Sequence, residues 1–123
     1  MGYESKLVVI KKGSLGINEE CHKAWAEKIA EVNMCVMDSS VSSKMRNYPP
    51  TEYYYYSDDG DTPILEDKYG KPLTEIPLVD AIQMLEESEK EEHYRRYSIA
   101  IGLLKAFVFE DWHDNVVVLH YGY

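Results

Sequence analysis

Cysteine is scarce in this chain, long apolar runs are absent, and no spacing of glycine, serine or histidine matches a familiar catalytic loop. Each absence removes a class. With only Cys21 and Cys35 present, a disulfide scaffold of the secreted kind is not supported, and reduced thiols in a cytosolic setting are expected, with a single bridge as the alternative. The apolar run between Lys6 and Lys11 is too short for a signal-peptide core or a bilayer span. Gly2 followed by Ser5 falls one residue short of the myristoylation spacing. No serine sits in a Gly-x-Ser-x-Gly elbow, and neither major type of glycine-rich phosphate loop occurs. Cys35, if carried by a buried strand, is a small inert hydrophobe. His22, His93, His113 and His120 are scattered and, even with Cys21, fit no zinc spacing. No metal and no cofactor is implied. A binding protein is therefore favoured over an enzyme, whose site would have to be assembled by folding around His113 or His120 and nearby carboxylates.

What is present points to one folded domain over residues 1–123, since 45% of the residues are hydrophobic and the charged fraction is ordinary. The charge is unevenly placed. Residues 1–50 hold seven Lys/Arg and six Asp/Glu, whereas residues 51–123 hold six and sixteen, so the net charge of -9 resides in the later part of the chain. Such a field repels nucleic acid and anionic membranes and favours a basic partner.

The "KLVVIKK" stretch, residues 6–12, is β-branched and lysine-bounded, which predicts a strand, and "GSLGINEE" predicts a loop. Residues 22–37 fit both a helical and an alternating pattern. We favour a strand over 28–37, preceded by a helical turn and paired antiparallel with the first strand. "DSSVSSKMRNYPP" predicts a short helix stopped by its double proline, and "EYYYYSDDGD" a strand running into an Asp-Gly turn. "TPILEDKYG" supplies a short return strand with Pro63 at its edge or start. Pro77 suits the first turn of a helix carrying Leu78, Ile82 and Leu85, and a second helix is expected over 92–109 with Tyr97, Ile101, Leu104 and Val108 on one face. "NVVVLHYGY" reads as a central strand, apolar on both faces. The expected class is α+β: a mainly antiparallel sheet of about four or five strands with two helices of the C-terminal half packed on one face.

The tyrosine run raises three possibilities. A calcium loop fails, because Tyr55 and Ser57 occupy positions that require carboxylates. A nucleic-acid platform is disfavoured by the aspartates beside it. Strand alternation leaves Tyr54 and Tyr56 as an outward pair opposite Tyr53 and Tyr55. That pair, with Asp58, Asp59, Asp61, Glu66 and Asp67, and with Glu86, Glu87 and Glu89 of "EESEKEE", forms the expected protein-binding surface. Carboxylates at phosphate-like spacing could also mimic DNA in a basic groove; the plainer reading is solvated turns and helix ends. "YRRY" offers an alternative ligand site, with Arg95 and Arg96 holding a phosphate and Tyr94 or Tyr97 stacking on a base, although Glu91 and Glu92 can instead pair with the arginines.

The stretches "MGYESKL", "DDGDT", "EDKYGKPL" and "VVLHYGY" resemble a family of small proteins encoded by phages and prophages of Gram-positive bacteria. The resemblance implies an accessory protein in the host cytoplasm that binds a host or phage protein, inhibiting or redirecting it, and carries over no catalytic residue. A basic, nucleic-acid-binding host or defence protein is the partner expected, with no direct contact to nucleic acid or membrane. A strand-rich surface with exposed tyrosines is also compatible with a homodimer.

Overall fold

The computed structural model describes residues 4–18, 23–35, 39–57, 60, 62–91, 95–108 and 115–122. Strands β1 (Ser5–Asn18) and β2 (Lys23–Cys35) pair antiparallel over most of their length. Both are longer than the sequence predicts. Residues 13–18 of the loop expected over 13–20 belong to β1, because the register slips between Lys12 and Ile17 and lets Ile17 and Asn18 rejoin Ala24 and Lys23; residues 19 and 20 lie outside the described residues. The two glycines therefore mark an irregularity within a strand. The helical turn expected before residue 28 is strand as well, since pairing with β1 overrides the helical spacing of its apolar residues.

Helix α1 (Ser39–Arg46) crosses from β2 to β3 (Tyr53–Tyr56), which lies parallel to β2, as a crossover of this length permits. The return strand β4 (Pro63–Ile64) is only two residues long and pairs antiparallel with β3 at the sheet edge, where the missing proline N–H is tolerated. Strand β5 (Thr74–Pro77) occupies part of the segment read as helix start. Thr74 and Ile76 are buried while Pro77 is exposed, and helix α2 (Leu78–Glu91) begins only after the proline. Helix α3 (Arg95–Val108) and the final strand β6 (Val116–Gly122) complete the chain.

The six strands run in the order β4-β3-β2-β1-β6-β5, all pairs antiparallel except β2 with β3. The α+β class thus holds, with six strands and a third, short helix beside the two of the C-terminal half. Among the described residues no helix is long and apolar enough to cross a membrane.

Alternation along the central strands divides the apolar residues between two cores. Leu7, Val9, Val116 and Val118 face the helices and pack with Met45, Leu85, Tyr97 and Leu104. Val8, Ile10, Val117 and Leu119 face the other way and pack with Ala26, Tyr55 and Leu73, with no helical residue among them. They are nevertheless buried, because the sheet curls onto itself. Residues 49–51, just upstream of β3, bond the free edge of β5: Thr51 N donates to Leu73 O (2.8 Å) and Glu75 N to Pro49 O (3.0 Å). The joint is reinforced by Thr51 Oγ1 donating to Glu75 (2.8 Å) and Lys23 Nζ donating to Thr51 O (2.6 Å). The second core is the filled interior of this ring of strands.

Candidate functional site

Alternation does place Tyr54 and Tyr56 on one side of β3, their rings meeting edge to face at 5.7 Å. The expected outward pair is nonetheless corrected, because Tyr54 is only 6% exposed and Tyr56 alone emerges, at 42%. β3 lies between β2 and β4, with Tyr53 half-buried, Tyr54 and Tyr55 buried and its last residue exposed. Asp58, Asp59 and Asp61 lie outside the described residues. Of the residues between β3 and β4 that are described, Gly60, at φ 77°, donates its N–H to Ser57 O (2.8 Å), and Ser57 N donates to Thr62 O (2.8 Å).

Glu66 is exposed, but Asp67 builds a turn: its Oδ1 accepts from the amides of Tyr69 (2.9 Å) and Lys71 (3.0 Å). On α2, Glu86 pairs with Lys105 of α3 (3.7 Å) and Glu89 accepts a bond from Ser98 (2.8 Å), while Glu87 is exposed. At "YRRY", two of the four residues are described with their side chains. Tyr97 is fully buried in the helical core, and Arg96 Nη1 donates to Asn33 O on β2 (2.6 Å), tying α3 to the sheet. Tyr94, Glu92 and the side chains of Glu91 and Arg95 lie outside the described residues.

Two hollows remain. The first is a groove of about 620 Å³ between α2 and α3, floored by Ile82 and flanked by Val79 and Val108, with Glu86, Glu87, Lys90 and Lys105 along its rim, two charges of each sign. Val79 is 63% exposed and Val108 37%, although the sequence places Val108 on the buried face of its helix. The helix ends at that residue, beyond the cover of the sheet.

The second hollow, about 480 Å³, is polar and lies where the C-terminal end of α1 meets the turn 67–71 and the end of β6. Arg46, Asn47 and Tyr48 come from the first, Asp67 and Lys71 from the second, and His120 from the third. Each wall is anchored. Thr74 Oγ1 donates to Met45 O (2.8 Å), and Lys68 N donates to Gly122 O (3.1 Å). Tyr48 Oη donates to Asp80 (3.2 Å), and burial together with that carboxylate raises the phenol's pKa.

His120 is 3% exposed, on the helix-facing side of β6, with Nε2 2.9 Å from Ser5 Oγ. Its ring is fully enclosed. Burial, and secondarily the Arg46 charge, push its pKa down to about 4 against the opposing pull of Asp67, so the ring is neutral at neutral pH. Ser5, Arg46, Lys71 and His120 are brought together from far apart in the chain, and no local motif announces them. Among the described residues no three His, Cys, Asp or Glu side chains are grouped to hold a metal ion. No protein-family model matches the chain, and comparison with curated proteins and with solved structures gives no significant match, so the functional reading rests on these two hollows themselves.

Proposed function

We propose that the protein works by stoichiometric binding of a basic partner protein, which inserts an apolar side chain into the groove between α2 and α3. The observation that carries this reading is the position of Glu86 and Glu87, at the rim of a groove whose apolar walls, Val79 and Val108, stand open to solvent. The rim carries both signs, and Glu86 and Lys105 already neutralise one another. Apolar contact therefore supplies the affinity, while the surplus of nine negative charges on the chain selects and steers a cationic partner. Inhibition or redirection of a nucleic-acid-binding protein inside a bacterial host would follow from occupying its basic surface. Tyr56, next to the acidic β3–β4 turn, is a secondary contact on this reading.

The test is affinity capture from a bacterial lysate by the immobilised protein, beside its Val79→Glu/Val108→Glu variant, with partners identified by mass spectrometry. The wild type retains a basic protein that the folded variant loses and that high salt releases. A partner held equally by both, or an acidic one, would refute the assignment.

A further inference from the structure

We propose that the polar hollow formed by α1, the 67–71 turn and β6 is a binding site for a small organic phosphate, independent of the helical groove. Its charge is opposite to that of the molecule. Around it lie the guanidinium of Arg46 and the ammonium of Lys71 against the single carboxylate of Asp67, giving a local surplus of positive charge in a chain of net charge -9. One oxygen of that carboxylate is already engaged by the amides of Tyr69 and Lys71. At the negative end of α1 the carbonyls of Ser43, Lys44 and Met45 are already engaged, each accepting a hydrogen bond.

The donors around the hollow are of several kinds. Arg46 is steadied by its Nε–H to Ser42 O (3.2 Å), and Ser43, Asn47 and Lys71 add a hydroxyl, an amide and an ammonium group. A phosphate monoester presents three terminal oxygens with lone pairs in several directions, which matches this set better than the two oxygens of a carboxylate. The volume, about 480 Å³, lies within the range of small-molecule sites and exceeds what a bare phosphate fills, so an organic body is accommodated. Asp67 stands at the wall as an acceptor for a hydroxyl group on such a body. His120, held by Ser5, closes the floor with an uncharged polar ring that neither repels nor neutralises the anion.

The test is a titration of the full-length protein with adenosine monophosphate, inorganic phosphate and succinate, followed by calorimetry and by the His120 imidazole resonances. Saturable binding of adenosine monophosphate is expected, with movement of the His120 signals and affinity falling by about tenfold or more in Lys71→Gln and in Arg46→Gln. Lys71 is exposed and holds its turn through its backbone N–H, so its substitution leaves the fold intact even if Arg46→Gln does not. Lys90→Gln, at the helical groove, should bind as the wild type does. Absence of saturable binding at millimolar adenosine monophosphate, binding that survives Lys71→Gln, or preference for succinate would each overturn the proposal. Since Val79→Glu/Val108→Glu leaves this hollow untouched, that variant distinguishes failure here from failure of the partner-binding reading.

Discussion

Acidification should weaken the fold through His120 before any carboxylate is involved. The ring is enclosed, its Nε2 engages Ser5, and its pKa is pushed from 6.5 to about 4, so the folded state holds it neutral while the unfolded state lets it charge. The unfolded chain therefore binds more protons between these values, and stability rises with pH across that window. The contribution is complete above the unfolded value and is lost as pH falls towards the folded one. Over the roughly 1.5 units from 6.5 to 5, at about 1.4 kcal/mol per unit, the loss is about 2 kcal/mol. For a chain of this size that is a fall of about 8 °C in melting temperature. Urea unfolding from about pH 8 to about pH 5 measures it, and a His120→Gln variant, uncharged throughout and able to bond Ser5, isolates it from the other histidines. The difference in unfolding free energy between wild type and variant should shrink by about 2 kcal/mol over that range. Parallel curves would show that burial does not control this ring. A wild type that gains stability on acidification would show that Asp67 holds the imidazolium instead.

Two substitutions probe the tyrosine strand and its turn. Tyr54→Ala should cost about 3 kcal/mol in urea unfolding, against less than about 1 kcal/mol for Tyr56→Ala, because only the first ring is buried; equal costs would restore the outward pair. Gly60→Ala should cost about 1 to 2 kcal/mol and Gly60→Asn less, since φ is 77° and an added Cβ meets nothing within 4 Å, leaving backbone strain as the sole penalty.

Much of the fold was legible because its signals are local. β6 announces itself through an apolar run on both faces, and it sits between β1 and β5 with nearly every residue buried. The stripes of α2 and α3 likewise fall where Leu85, Tyr97 and Leu104 enter the core. What escaped was set by partners distant in sequence. β5 is four residues long and ends on a proline, so only its pairing with β6 and its bonds to residues 49–51 make Thr74–Pro77 a strand. Glycines in β1 look like a break until β2 is seen opposite them. The acidic residues of α2 were legible as surface, but their relation to Val79 and Val108 depends on how two helices pack. The polar hollow was the least accessible of all, because Ser5 and His120 meet across 115 positions.

Closure of the sheet explains why that hollow is the more rigid of the two. Residues 49–51 follow directly on α1 and are bonded to β5, while the turn at 67–71 precedes β5 and is bonded to the end of β6. Both walls are therefore referred to adjacent strands of one sheet, and Thr74 adds a direct tie from β5 to the last turn of α1. A ligand entering there finds backbone walls already fixed, so the ordering cost is confined to the exposed side chains of Arg46, Asn47 and Lys71. The groove between α2 and α3 is framed by helices rather than by strands: among the described residues Glu86 with Lys105 and Ser98 with Glu89 link the two, and the ion pair is half exposed and contributes little to rigidity. Adaptation on binding belongs to the groove, and a preformed small-molecule site belongs to the sheet end.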